Sequence, residues 1–273
     1  MTQASRTPLR VAIAGLGAIG MEIARSLDRG IPGYVLAAGS ASDRDKAAER
    51  LGSLARPVPV VGLDELEPLA DIVIECAPAR LLPEIIGPFL RAGKSAVVLS
   101  CGALLGHEDL VQAARDTGGQ IIVPSGALLG LDAVAAAAEG EITSVRMITR
   151  KPVKGLVGAP YLERHGIDIA HITEPERVFS GSAREAAAGF PANVNVAVAL
   201  SLAGIGPDRT TIEIWADPAL TRNTHRIEVE ADSASFAMSI ENVPSENPRT
   251  GRITALSVIA CLRKMTAPLR VGT

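Results

Sequence analysis

The chain has 273 residues, enough for one large domain or two modest ones with a sizeable core. At 47% hydrophobic and 21% charged residues it is neither disordered nor a coiled coil, and a net charge of −3 leaves no electrostatic footprint for nucleic acid or an anionic membrane. No apolar run approaches a membrane span, the N-terminus lacks a hydrophobic signal core, and the three separated cysteines, Cys76, Cys101 and Cys261, make no disulfide scaffold, so a reduced, cytoplasmic setting is expected.

The first half alternates strands and helices. Leu9 to Ala14 is a short apolar run, followed by a glycine-rich turn and a helical pattern through Leu27. Tyr34 to Ala38 predicts a second strand, Asp43 to Leu51 a helix, and Ile72 to Cys76 a third, buried strand. Leu82 to Ala92 predicts a helix with Pro83 in its first turn and Gly93 after its last. Ser95 to Ser100 is strand, Glu108 to Thr117 helix, and Gln120 to Val123 strand. Near-continuous apolar strands separated by helices imply a parallel sheet covered on both faces.

The pattern changes after about Ser125. Leu129 to Ala138 and Val194 to Leu202 are helical, and Ser144 to Arg150 is strand-like. Three strand candidates then follow closely: Thr210 to Ala216, His225 to Glu230 and Ser235 to Ile240. Strands without intervening helices imply antiparallel pairing. The chain closes on a helical pattern, Arg249 to Lys264. The expected fold class is therefore α/β: a doubly wound parallel sheet over residues 1–125 with 246–273, and a second α+β domain with a mainly antiparallel sheet over 126–245.

Gly15-Leu16-Gly17-Ala18-Ile19-Gly20 is a GxGxxG that directly follows an apolar strand and opens a helix, the context that makes this spacing a dinucleotide fingerprint. Gly15 permits the tight turn, Gly17 lets backbone approach a pyrophosphate, and Gly20 lets helix pack on strand. The first-turn N–H groups of Ala18 and Ile19 and the positive helix end face the phosphates. An acid about 20 residues further on holds the ribose hydroxyls in NAD proteins. Here the nearest is Asp43, slightly late, in Gly39-Ser40-Ala41-Ser42-Asp43-Arg44, where a helix N-cap role is equally open. The serines and Arg44 leave NAD or NADP undecided. Cys76 with Ala77, and Ser100 with Cys101, end strands where a parallel sheet delivers residues to its crevice, and are expected as pocket walls.

Of the four histidines, His107, His165 and His171 fall at a helix start and in polar loops, and none has metal-ligand spacing, so no metal is expected. His225 opens a strand two residues after Asn223, so on an extended chain both point to one side. A histidine beside an amide at a strand mouth suits a general acid/base that also holds a carbonyl or carboxylate. A satisfied core or surface histidine is the alternative on spacing alone.

Taken together, these segments resemble the L-aspartate dehydrogenase family. The matching pieces are Gly15 to Gly20, Val123-Pro124-Ser125-Gly126-Ala127, Thr149-Arg150-Lys151-Pro152, Asn193-Val194-Asn195-Val196-Ala197, Ala216-Asp217-Pro218, Asn223-Thr224-His225 and Asn242 to Thr250, in order over nearly the whole chain. The resemblance implies a Rossmann domain, an α+β catalytic and dimerisation domain, and NAD or NADP as cofactor. It implies that His225 is the catalytic acid/base, that Asn223 binds substrate, and that Ala127 and Asn195 contact the dinucleotide. The implied reaction takes a hydride from Cα of aspartate, giving iminosuccinate, which His225-activated water converts to oxaloacetate and ammonia; the reverse is reductive amination. A dicarboxylate substrate needs donors, for which backbone N–H groups at Ser125 and Gly126, the Asn223 amide and Lys151 or Arg150 are the candidates. The Ser/Ala-rich end of the second strand and Cys101 depart from the family pattern. The competing expectations are a related two-domain imine or keto-acid reductase and a non-catalytic dinucleotide sensor; a homodimer is expected.

Overall fold

A computed structural model describes residues 7–191, 194–244 and 251–272. The chain divides into two compact units, Met1–Pro124 with Ala255–Arg270, and Ser125–Thr254 with Val271–Thr273. Asn193 and the segment 245–250, both within motifs read above, lie outside the described residues.

The first unit runs β1 (Leu9–Ala14), α1 (Ala18–Gly30), β2 (Tyr34–Ser40), α2 (Arg44–Gly52), α3 (Leu66–Leu69), β3 (Ile72–Glu75), α4 (Leu82–Arg91), β4 (Ser95–Val98), α5 (Glu108–Thr117) and β5 (Gln120–Ile122). Its sheet is parallel throughout, in the order β2-β1-β3-β4-β5. The order reverses at β1, so a crevice opens at the carboxyl ends of β1 and β3. All four residues of β3 and the last four of β1 are buried. Ile23, Ala24 and Leu27 of α1 lie at helical spacing in the same core as Ile13 and Ile74. Burying each of the larger side chains contributes about 1.5–3 kcal/mol.

The second unit contains α6 (Leu131–Ala137), β6 (Ile142–Lys151), α7 (Pro160–His165), β7 (Glu176–Ser182), α8 (Ala183–Gly189), α9 (Asn195–Ala203), β8 (Thr210–Ala216), β9 (Thr224–Ala231) and β10 (Ser235–Glu241). A last helix, α10 (Ile253–Thr266), packs Ala255, Val258 and Leu262 into the core of the first unit, where Thr266 Oγ1 donates to Pro32 O at 3.0 Å. The second sheet has the order β10-β9-β6-β8-β7; β6 and β8 are parallel and the other pairs antiparallel. The consecutive strands β8 and β9 are not neighbours, because β6 lies between them. That insertion gives one parallel pair, β6 with β8, in a sheet that is otherwise antiparallel, in line with the mainly antiparallel sheet expected. β7, α7 and α8 are not among the expected elements: β7 is bulged between Arg177 and Phe179, and α8 is a short alanine-rich helix started by a Ser182–Glu185 capping box.

One face of this sheet meets the helices. Val145 and Met147 of β6, Ile212 and Ile214 of β8, and Ile227 and Val229 of β9 form a core with Val134, Phe190 and Leu200. The opposite face carries ion pairs, Arg146 to Glu213 and Glu228, and Arg226 to Glu228.

Gly20 is required by packing: a Cβ there would collide with the Gly15 carbonyl oxygen and approach Ile13 Cγ2 to 3.2 Å. Gly20→Ala is expected to destabilise the protein by about 1–3 kcal/mol, read as a lowered urea midpoint. An unchanged midpoint would contradict this packing.

Candidate active site

The glycine-rich turn follows β1 directly. Gly15 has φ +99°, and a Cβ would collide with the Cys76 carbonyl. Gly15 N–H donates to Ser40 O at 2.8 Å, and Cys76 N–H to Ala14 O at 2.7 Å, so the turn is held between the ends of β2 and β3. Gly17 is the N-cap of α1 with ordinary extended geometry and no side-chain cap. A Cβ on Gly17 would meet nothing within 4 Å. Open space above uncapped first-turn N–H groups at Ala18 and Ile19 is the cradle that a pyrophosphate needs, and these residues fit NAD or NADP.

The other wall is fixed by a residue the sequence analysis passed over. Glu75 closes the apolar strand β3 and is fully buried. Its carboxylate accepts from Ala77 N (3.0 Å), Leu99 N (3.2 Å), Ser100 N (2.8 Å) and Ser100 Oγ (3.1 Å). Burial lifts its pKa, against the hydrogen bonds that hold the anion. One carboxylate thus ties the loop after β3 to the loop after β4, placing Cys76, Ala77 and Ser100 together at the crevice. The signal was an acid ending an otherwise apolar run, Ile-Val-Ile-Glu. Cys101 is buried at the start of a short 3-10 turn. The Cys76 thiol is pushed well up by desolvation and then by the Glu75 carboxylate, so it is a neutral wall. Asp43 is the N-cap of α2, its Oδ1 accepting from Lys46 N at 3.0 Å.

In the second unit, the core face of the sheet becomes polar at one end. Along β6 the buried register continues Val145, Met147, Thr149, Lys151, and along β9 it begins at His225 before Ile227. Thr149 and His225 are register partners, with Thr149 Oγ1 and His225 Nδ1 3.1 Å apart. Burial, and then the nearby Lys151 ammonium, push the His225 pKa down to about 3; burial lowers that of Lys151 to about 8. His225 is therefore a neutral imidazole at neutral pH. Lys151 remains the cation at the site. Thr149 lay within a quoted motif without a role; the buried alternation of β6 and its pairing with β9 are what mark it.

Asn223 precedes β9. Its carbonyl accepts from Asn242 N at 2.8 Å, while Asn242 Nδ2 donates to Ala127 O at 2.9 Å. Asn242, the first residue of the matching segment Asn242 to Thr250, thus links Asn223 to the turn carrying Ser125, Gly126 and Ala127. Gly126 has φ +62°, and Leu128 N–H donates to Ser125 O at 3.0 Å. Asn195 begins α9. Arg150 lies on the opposite face, its guanidinium over the Trp215 ring at 5.2 Å and 3.8 Å from Asp217. His165 stacks on Tyr161 at 4.0 Å, a packing role. Among the described residues no group of three His, Cys, Asp or Glu is placed to hold a metal ion.

A parallel dinucleotide sheet joined to a mixed sheet with a buried histidine–lysine cluster defines a two-unit NAD(P)-dependent dehydrogenase. A family model for the aspartate dehydrogenase C-terminal region matches residues 132–265, and one for the homoserine dehydrogenase NAD-binding domain matches 15–124. The chain is 60% identical to an L-aspartate dehydrogenase of Bradyrhizobium diazoefficiens over 271 residues (99% of this chain, 96% of that one). It is also 60% identical to L-aspartate dehydrogenase 3 of Bordetella bronchiseptica (98% and 99%). The crystal structure of aspartate dehydrogenase from Thermotoga maritima superposes with a TM-score of 0.73 at 22% identity, covering 97% and 99% of the two chains, a likeness of fold. The chain belongs to the L-aspartate dehydrogenase family.

Two outcomes follow from this geometry. Gly17→Ala is expected to fold normally yet bind NADH or NADPH at least about tenfold more weakly in a fluorescence titration, one contact of about 1.4 kcal/mol; unchanged affinity would contradict the cradle. Lys151→Met removes a positive charge beside His225, so the His225 pKa should rise from about 3 while burial keeps it below 6.5, measured by NMR titration. No movement would show that the two groups are not coupled.

Proposed function

We propose that this protein is an NAD(P)-dependent L-aspartate dehydrogenase, converting L-aspartate and water to oxaloacetate and ammonia through iminosuccinate, and reversibly aminating oxaloacetate. The observation that carries the reading is the buried Thr149–His225–Lys151 cluster at the polar end of the second sheet, in a chain 60% identical to L-aspartate dehydrogenases. A dinucleotide-binding sensor has no use for an ammonium and a neutral histidine set side by side at the polar end of the second sheet, whereas acid/base chemistry does.

NAD or NADP is held by Gly15, Gly17, Ala18, Ile19 and Gly20, with Cys76, Ala77, Ser100 and Cys101 as walls and with Ala127 and Asn195 as further contacts. When bound, the cofactor supplies the two-electron exchange at Cα. Asp43, as helix cap, leaves the choice between NAD and NADP to direct assay. Lys151 holds a carboxylate of the dicarboxylate substrate, for which its ammonium form, present below about pH 8, is the right state. Asn223 and the backbone at Ser125 and Gly126 supply further donors. His225 meets the oxygen that is added to or lost from the reacting carbon. The chain works as a homodimer in the cytoplasm. The first inference is supported by the half-exposed Trp215 and Arg150 on the sheet face away from the helices. The second is supported by three cysteines that are far apart in the sequence and not joined in disulfides.

The test is oxidation of NADH or NADPH in the presence of oxaloacetate and ammonia, with pyruvate and 2-oxoglutarate as controls. Turnover restricted to oxaloacetate with ammonia is expected, and His225→Ala should lower kcat by about 100-fold or more with cofactor affinity retained. Cofactor binding without turnover on any of these acids would overturn the reading.

A further inference from the structure

Thr149 and His225 face each other across the β6–β9 pairing, both buried, with the hydroxyl oxygen 3.1 Å from Nδ1. A threonine hydroxyl has one proton to give, and among the described residues the hydrogen-bond partner of Thr149 Oγ1 is His225 Nδ1. If Nδ1 carried the ring hydrogen and donated to Oγ1, the hydroxyl proton would be left without an acceptor in a buried place, at a cost of about 1–3 kcal/mol. The arrangement that satisfies both groups is the hydroxyl donating to the Nδ1 lone pair. A neutral imidazole has a single N–H, which then resides on Nε2. The ring is neutral in the substrate-free protein, because burial and Lys151 both disfavour the imidazolium.

We infer that Thr149 is a positioning residue that fixes His225 as the Nε2–H tautomer, so that the histidine meets the substrate as a neutral hydrogen-bond donor. The inference rests on the reading of His225 given under the proposed function and adds the direction of its hydrogen bond. In reductive amination, Nε2–H points at the carbonyl oxygen of the keto acid and stabilises the negative charge that grows there as the ammonia nitrogen forms its bond to carbon. No proton leaves the ring in that step, which suits an imidazole so reluctant to ionise. The positive group beside it is Lys151, reaching the same end of the core face from β6, which holds the charge of the dicarboxylate and leaves the histidine to the reacting oxygen.

The experiment is nitrogen-15 NMR of the substrate-free protein labelled at histidine, with wild type, Thr149→Val and Thr149→Ser compared, and steady-state kinetics with oxaloacetate and ammonia on each. The wild type and Thr149→Ser are expected to show the hydrogen on Nε2. Thr149→Val should lose that preference and lose about 10–100-fold in kcat with KM for oxaloacetate little changed, and Thr149→Ser should recover most of the rate. A wild-type ring protonated on Nδ1, or a Thr149→Val enzyme with wild-type kcat, would overturn the inference. The tautomer is read without substrate, so a wild type inactive on oxaloacetate would sink the proposed reaction while the NMR still decides the role of Thr149.

Discussion

Everything at the second unit's site depends on one property of a β-strand: its side chains alternate, so a face that starts as core continues as the same face to the strand's end. Val145 and Met147 commit β6 to the core, and Thr149 and Lys151 follow them into it. The antiparallel register then sets His225 opposite Thr149. Burial lowers both the lysine and the histidine in pKa, and the lysine lowers the histidine further. Two basic groups are thus held in distinct states, one cationic below about pH 8 and one neutral, by environment rather than by residue type. A dicarboxylate complements that pair, because its carboxylates are drawn to the ammonium while its reacting oxygen meets the neutral imidazole.

The first unit solves a different problem, that of holding loops. The ends of β3 and β4 deliver residues to the crevice, and loops that simply leave a sheet edge have no intrinsic reason to converge. Glu75 supplies it by accepting three backbone N–H groups and one hydroxyl from both loops. A buried carboxylate is costly alone, and four donors compensate much of that cost. The glycine turn, pressed against the Cys76 carbonyl, completes a cradle built almost entirely from backbone. That is why small residues dominate there: approach, not side-chain chemistry, is what the site requires.

The sequence made the first unit legible because its strands are buried on both faces and its helices carry plain stop signals; Glu108–Thr117, for example, ends at Gly118 with φ +78°. The second unit was legible only in part. The strand Thr210–Ala216 is plain from its composition, but its parallel pairing with β6 is a long-range choice that no local pattern encodes. β7 was missed because a bulge breaks its alternation, and α8 because alanines mark no face. His225 stood out by its place beside Asn223. Thr149 and Asn242 did not, since their roles are defined by partners 76 and 115 residues away in the chain. Asp43 shows the converse: local spacing left cap and ribose roles equal, and the cap is the bond the structure contains.

The most direct test of the account follows the hydrogen on Cα. Aspartate labelled with deuterium at Cα is incubated with the protein and the oxidised cofactor, and the reduced cofactor and the keto acid are analysed by mass spectrometry. The account predicts the deuterium in the reduced nicotinamide, with oxaloacetate and ammonia formed in equal amounts. Deuterium released to solvent, with no label in the cofactor, would contradict it.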